Sequence, residues 1–436
     1  MKGKQGGHVD AASFNRRDFL VNAGKLAGAA LALPLLAKAQ GVAAQPAGSS
    51  AVNSPAAIKI RERRKIGVLL PQSGVYPQLS ANFLAGMNLH FNQTGRQGIS
   101  LVSSKTGYAR GQAWQEAQAM LRGQNIDLMV GMVSPGIASS LHFSLAASKT
   151  ALIAASLGEN LARVDEHSAY IFHHTLGLWQ SNWALGKWAA TTLGRSAIIA
   201  SSYYDSGYDT SYAFRMGYEA AGGKVLASYV THQPAADVGL SALMASIKQN
   251  KPDVVFASYY GQAAVDLLNA YARAGLSRSI PLVGTAFLVD QAVIKSVGSA
   301  AAGVRTAMSW AANLDTAENQ AFVGAYQRNT GKSPDAFALL GYETAHLVLA
   351  AVDRQAGSVT DALATASFSG PRGAIAMNAS THTTSGPHYL QQAKQQGINI
   401  RNMVLSALPA IGEHDGEVAA LRSSLKTGWS SSYLCG

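Results

Sequence analysis

Short apolar runs closed by glycine, proline or serine recur along this chain from Lys65 onwards, and stretches of helical spacing follow them. Ile66-Gly67-Val68-Leu69-Leu70 ends at Pro71. A run with no polar alternation reads as a strand buried on both faces, which is the habit of parallel sheets. Leu79, Phe83, Met87 and Phe91 then fall four apart, on one face of a helix. The same alternation predicts strands over 99–103, 126–130, 151–155, 197–200, 225–230, 253–257 and 281–283. It predicts helices over 111–122 and 137–147, then two longer ones over 317–330 and 336–354. Small strand-like pieces follow at 375–377 and 403–405. Strands alternating with helices of this kind imply βαβ units and an α/β fold built on parallel sheets.

The strands are too many for one compact sheet, and they form two groups, over about 65–175 and 179–304. The length of 436 residues agrees, because one domain takes roughly 150. Apolar residues make up 48% and charged residues 14%, against about 25% charged in an average domain. That balance excludes a disordered chain or a coiled coil. A single cysteine, Cys435, excludes an internal disulfide and a Cys-rich metal site. No basic run is interleaved with aromatics, so nucleic acid is not an expected partner.

The first forty residues do not read as part of the fold. Asn15-Arg16-Arg17-Asp18-Phe19-Leu20 precedes an apolar stretch over 26–37, bounded by Lys25 and Lys38. A membrane-spanning helix needs roughly 20 residues, so this stretch suits the core of a signal peptide. Ala37-Lys38-Ala39 offers a cleavage site, and the paired arginines resemble a twin-arginine export signal. Residues 1–39 are therefore expected to be a twin-arginine signal peptide that directs the chain to the periplasm. Loss of this segment removes six cations and two acids, which lowers the formal charge from +11 to +7. The Ala-, Gln-, Ser- and Pro-rich stretch over 40–57 reads as a linker.

The order of several motifs resembles a known family. Lys65-Ile-Gly-Val-Leu-Leu-Pro-Gln-Ser-Gly74 looks like the opening of the leucine/isoleucine/valine-binding type of periplasmic binding protein, which serves ABC importers. Asp127-Leu-Met-Val-Gly131 with Ser134 resembles the family's first ligand loop, and Leu152-Ile-Ala-Ala-Ser156 its second. Tyr170-Ile-Phe-His-His-Thr175 resembles a crossover between lobes. Asp205-Ser-Gly-Tyr208, Pro252-Asp-Val-Val-Phe256 with Tyr259 and Tyr260, and Ser369-Gly-Pro-Arg-Gly373 continue the match. The resemblance implies two Rossmann-like parallel-sheet lobes joined by a three-crossing hinge, the type I periplasmic binding fold. The crossings are expected near 175–179, 304–310 and 377–382. Lobe 1 is then 58–177 plus 307–380, and lobe 2 is 178–306 plus 381–436.

A ligand in an open parallel sheet sits beyond the carboxyl ends of the strands. Here those ends carry Ser73, Gly74, Ser134, Gly136, Ser156 and Gly158, small residues that allow close approach and present backbone N–H groups. The loop at Ser134-Pro135-Gly136 feeds a helix, whose first amides suit a carboxylate. The other lobe offers Tyr208, Tyr259, Tyr260 and Phe287, while Tyr76 and Asp205 also stand as cleft candidates. Asp205 and Asp209 at a helix start also read as caps. Amino-acid binders of the family carry a glutamate for the ligand ammonium where this chain has Gly284-Thr-Ala-Phe-Leu288, with no acid before Asp290. A buried ammonium without a countercharge is unfavourable. The expected solute is therefore uncharged, or bears a carboxylate, an aromatic ring or an amide.

His173 and His174 are adjacent on a strand and point to opposite faces, so no shared metal is expected. No nucleophile elbow, zinc-helix, P-loop or dinucleotide motif occurs, and neither catalysis nor a cofactor is expected. The resemblance implies an exported ABC-transporter substrate-binding protein, monomeric, that captures a small solute (an amino-acid-like, carboxylate or amide compound) by hinge closure and meets a permease in the inner membrane. A ligand sensor on the same fold is the alternative, and a secreted enzyme with an interlobe cleft is a third reading.

Overall fold

The apolar runs do become buried strands, and they assemble into two separate sheets. The computed structural model describes residues 64–409, except Gln97 and 108–109, 162–166, 203–208, 232–236 and 355–356. The expected signal and linker lie outside the described residues.

In the first sheet β1 (Arg64–Pro71), β2 (Ile99–Gly107), β3 (Leu128–Met132), β4 (Leu152–Ser156) and β5 (Ile171–Thr175) run parallel. The second sheet is built in the same way from β6 (Ser196–Ser202), β7 (Lys224–Thr231), β8 (Val254–Ser258), β9 (Leu282–Thr285) and β10 (Arg305–Met308). Every residue of β3, β4, β5, β8 and β9 is buried, because helices cover both faces. At the edge, β7 alternates between exposed and half-buried residues until Thr231.

Late segments complete each sheet. β11 (Ser367–Gly370), β12 (Gly373–Asn378) and β13 (Thr383–Ser385) extend the first sheet to the order β11-β12-β13-β5-β4-β3-β1-β2. The hairpin of β14 (His388–Gln396) and β15 (Asn399–Leu408) extends the second to β15-β14-β10-β9-β8-β6-β7. The chain thus passes between the sheets three times, after Thr175, after Met308 and at Gly386–Pro387. Two expected boundaries shift. Thr383 pairs with His173 of β5, so the last crossing falls after Ser385 rather than by His382. Met308 pairs with Tyr389, so residues 307–308 stay with the second sheet.

On one face of the first sheet, α1 (Leu79–Gln93), α10 (Ala317–Thr330) and α11 (Ala336–Val352) close a core that includes Phe83, Met87, Phe322 and Leu347. On the other face lie α2 (Arg110–Gly123), α3 (Pro135–Ser140) and α4 (His142–Ser148), which bury Ala117, Met120, Ile137 and Leu145. The expected single helix over 137–147 is two short ones that meet at Leu141. In the second lobe α5 (Leu178–Thr192) and α6 (Thr210–Ala220) take one face. The opposite face carries α7 (Asp237–Asn250), α8 (Gly261–Arg273) and α9 (Gln291–Val297). The small helix α12 (Val359–Ala364) precedes β11.

The contact of α1 with α11 depends on two glycines. A Cβ on Gly86 would lie 1.9 Å from the Ala338 carbonyl, and one on Gly341 would lie 1.9 Å from the Phe83 carbonyl. Both obstacles are backbone, so the helices must separate if either glycine gains a side chain. Gly341→Ala is expected to destabilise by about 1–3 kcal/mol or more, as overpacking does. Urea unfolding checks this, and an unchanged midpoint would mean the helices pack more loosely than described.

Candidate functional site

The loops after β1, β3 and β4 all leave the carboxyl end of the first sheet. Ser73 is buried, and its Oγ accepts a bond from the Tyr76 N–H at 2.9 Å, which fixes the turn that projects Tyr76. Ser134 caps α3, accepting from the Ile137 N–H at 3.4 Å. The α3 helix has only six residues, so its dipole is weaker than that of the single helix expected. Gly136, in its first turn, has open space where a side chain would be. Ser156 is buried at the end of β4. Gly158 has φ +79°, and a Cβ there would meet the Gly177 nitrogen at 2.9 Å, so its loop packs directly on the first crossing. Gly158, Asn160, His173 and Gln180 line a cavity of about 10 Å³, room for one water molecule.

Aromatic side chains from both lobes meet opposite these loops. Phe287, in a 3-10 turn after β9, stacks on Tyr260 with centroids 5.3 Å apart. Tyr76 of the first lobe lies 5.5 Å from Phe287 and 5.4 Å from Phe337. Such separations are favourable for tilted and offset rings. Tyr259 turns the other way. It is 1% exposed, packs in the second lobe's own core and bonds through its hydroxyl to Thr231 at 3.0 Å. Adjacent residues leaving a strand face opposite sides, so only Tyr260 of the expected pair joins the cluster that reaches the first lobe.

Side-chain hydrogen bonds also link the lobes. The Tyr76 hydroxyl donates to Asp290 Oδ2 at 2.9 Å, and the Asp209 N–H donates to Asn160 Oδ1 at 3.1 Å. Asp290 also caps α9, accepting from the Val293 N–H at 2.8 Å. Burial raises the Asp290 carboxyl above its ordinary range, and these bonds partly offset the rise. Asp209 differs. Its Oδ2 is buried without a hydrogen-bond partner among the described residues, and burial pushes the carboxyl up to about 7. Tyr76→Phe keeps the ring contacts and removes one bond to a carboxylate, so the lobe contact should weaken by about 1–3 kcal/mol. A larger radius of gyration by solution scattering without solute is the expected result; an unchanged radius would show that the bond does not hold the lobes together.

Behind the cleft, one arginine gathers the crossings. Arg372 is 1% exposed. Its Nε donates to Glu343 Oε2 at 2.8 Å, Nη1 to Ser309 Oγ at 3.2 Å and Nη2 to the Thr175 carbonyl at 3.0 Å. Thr175 and Ser309 flank the first and second crossings. Past the third, the Tyr389 hydroxyl donates to the Arg372 carbonyl at 2.9 Å. A planar guanidinium is the side chain suited to three divergent acceptors. His174 Nε2 lies 3.7 Å from Glu343, but burial and then the nearby Arg372 cation hold His174 well below its ordinary range. It is therefore neutral, and its Nδ1 sits 3.3 Å from the Thr384 hydroxyl.

Of the residues expected at the site, Tyr76, Tyr260 and Phe287 meet in one aromatic cluster, Ser73 fixes the turn before Tyr76, and Tyr259 lies apart in the second lobe's core. Asp205 and Tyr208 lie outside the described residues. Sequence reasoning missed Asn160, Phe337 and the interlobe roles of Asp209 and Asp290. The only signal for Phe337 was its place in the first turn of a helix capped by Asp335. Among the described residues no three His, Cys, Asp or Glu side chains stand together as a metal site. No described helix is long and apolar enough to cross a membrane.

Two sheet-based lobes joined by three crossings define the type I periplasmic binding fold. A family model described as periplasmic binding protein matches residues 64–398, and the chain belongs to that family. It is similar to the Leu/Ile/Val-binding protein homolog 6 of Brucella melitensis, 24% identical over 345 residues, which cover 76% of this chain and 87% of the relative. It is also similar to an ABC transporter substrate-binding protein from Sphaerobacter thermophilus (TM-score 0.73, 26% identity, 80% of this chain and 98% of that one). A solute-binding protein of an ABC transporter from R. palustris, solved with benzoate, matches with TM-score 0.68 and 27% identity over 80% of this chain and 98% of that one.

Proposed function

We propose that this chain is the substrate-binding protein of an ABC importer and that it captures a small aromatic carboxylate between its lobes. The observation that carries this is the meeting of two chemistries where the lobes join. Serine and glycine loops leave the first sheet, and Tyr76 and Phe337 of the first lobe form an aromatic cluster with Tyr260 and Phe287 of the second. Loop amides suit a carboxylate, and the aromatic cluster suits a ring. Asp290, the nearest acid to the family's glutamate position, already caps α9 and receives Tyr76. It therefore does not serve as a ready countercharge for an ammonium group. The benzoate seen in the R. palustris protein supports the same class.

In this reading the solute binds the open cleft, bridging contacts favour closure, and an inner-membrane permease receives the closed form. The arginine pair and apolar stretch before residue 40 support export by the twin-arginine route to the periplasm. One observation favours a different solute: the unpartnered Asp209 Oδ2 would suit the ammonium of an amino acid.

Melting the protein with benzoate, hydroxybenzoates, branched amino acids, short amides and urea separates the two. A ligand at a hundredfold excess over its Kd adds about 2.7 kcal/mol to apparent stability. The largest shift is expected from the aromatic carboxylates. A largest shift from branched amino acids would overturn the solute class, and no shift from any solute would overturn the binding reading.

A further inference from the structure

Gln180 stands in the first turn of α5, directly after the first crossing. It is 8% exposed, yet its amide forms no side-chain hydrogen bond among the described residues. Its Oε1 lies 3.3 Å from where a Cβ on Gly177 would stand, so the amide rests over the crossing itself. Asn160 is equally buried. Its Oδ1 accepts from the Asp209 N–H, but its Nδ2 donates to no described residue. A buried carboxamide left unpaired is unfavourable, and folded proteins pair nearly all such groups with protein or with ordered water.

Both amides line the cavity of about 10 Å³ beside Gly158. Gln180 and Thr175 also line a second hollow of about 10 Å³, so the two adjoin. The second takes the rest of its lining from Arg372 and from the third crossing, where Thr384, Gly386 and His388 face it. A Cβ on Gly386 would lie 3.2 Å from Arg372 Nη1, which brings the guanidinium to the wall of this hollow. A guanidinium has five N–H donors, and Glu343, Ser309 and Thr175 occupy one each. His388 Nδ1 lies 2.8 Å from Ser181 Oγ, which leaves its Nε2 for another partner. Burial, and then the Arg372 cation, push His388 down to about 3, so the ring is neutral and keeps one donor and one acceptor nitrogen. Each hollow therefore has room for one water molecule and the several polar groups that a buried water requires.

We propose that Gln180 holds two buried water molecules where the lobes pivot, one between its amide and Asn160 and the other between its amide and the Arg372–His388 pair. The amide carries both an acceptor oxygen and donor N–H groups, so it can serve both waters at once. Glu343 already pairs with the guanidinium, so the second hollow has no excess cation to hold an anion. The waters join the interlobe contact at Asn160 to the arginine that gathers the crossings. A bridging water is nearly as favourable in enthalpy as a direct bond, and it can change partners as the chain turns. The crossings then move without leaving a buried polar group unpaired. This site rests on the fold alone and stands whatever the solute proves to be.

Crystal structures of the protein and of Gln180→Met test the proposal, with oxygen-17 relaxation dispersion of water as a second measurement in solution. The wild type should show one ordered water in each hollow, within hydrogen-bond distance of the Gln180 amide. The number of long-lived internal waters should fall by two in Gln180→Met. Asn160→Leu reaches only the cavity beside Gly158, so it should lose one and keep the other. The proposal is overturned if either hollow lacks a water, if a protein group bonds the Gln180 amide instead, or if the count is unchanged in Gln180→Met. Bromide that replaces the density beside Arg372, seen by its anomalous scattering, would reassign that hollow to a small anion.

Discussion

Replacing Arg372 with methionine is expected to lower the unfolding free energy by about 3–5 kcal/mol, the range for removing one partner of a buried ion pair. Glu343 is fully buried, and burial raises its carboxyl above the ordinary range, a rise offset in part, chiefly by the arginine. Without the cation it must bind a proton or remain as a stranded charge. The Thr175 carbonyl and Ser309 hydroxyl lose their donor in the same step. The loss should grow once pH rises past the point where Glu343 ionises in the folded wild type, because the folded variant keeps a proton that the folded wild type has released.

Arg372→Lys should recover only part of the loss, because an ammonium is a point charge without the guanidinium fork. Combining Arg372→Met with Glu343→Leu should recover most of it, because no charge is left unpaired. Urea unfolding of the single and double variants measures the coupling. Additive losses would show that the pair is not a unit. The same variants report on the hinge, since the guanidinium touches Thr175 and Ser309 at the first two crossings. The double variant should fold and yet bind solute with altered rates of opening.

The strands were legible because burial on both faces leaves an unbroken apolar run, as in Val254–Ser258. The helices expected over 317–330 and 336–354 form as 317–330 and 336–352, and Thr316 and Asp335 cap their starts by accepting from the backbone three residues on. The third crossing was misplaced because β13 is three residues long and has no apolar residue. The break at Leu141 was hidden by apolar residues on both sides of it. Arg372 lay in a quoted motif without being read as a hinge residue. Its partners are 29, 63 and 197 residues away, and no local pattern carries contacts of that range. Asp209 was read as a helix cap. It occupies the cap position of α6, but its side chain makes no capping bond, which leaves the carboxyl with a different chemistry.

Asp209→Asn is expected to stabilise the protein at pH 8 and to leave it within about 1 kcal/mol at pH 4. Burial raises this carboxyl from 3.8 to about 7. Between those values the unfolded chain has lost the proton and the folded chain retains it. Folding therefore takes up a proton, and stability falls as pH rises through the window. At about 1.4 kcal/mol per pH unit the penalty above the window is on the order of 4 kcal/mol, which asparagine does not incur. Urea unfolding at pH 4, 6 and 8 should give converging curves at low pH, and parallel curves would sink the assignment. The same titration reports on the solute. A ligand ammonium or hydroxyl donating to Oδ2 would favour the carboxylate and release a proton near pH 7. A ligand carboxylate beside Asp209 would favour the acid and take a proton up. Calorimetric binding in buffers of different ionisation enthalpy reads the sign directly. Release with wild type that vanishes in Asp209→Asn would identify Asp209 as the contact that selects the solute's donor group.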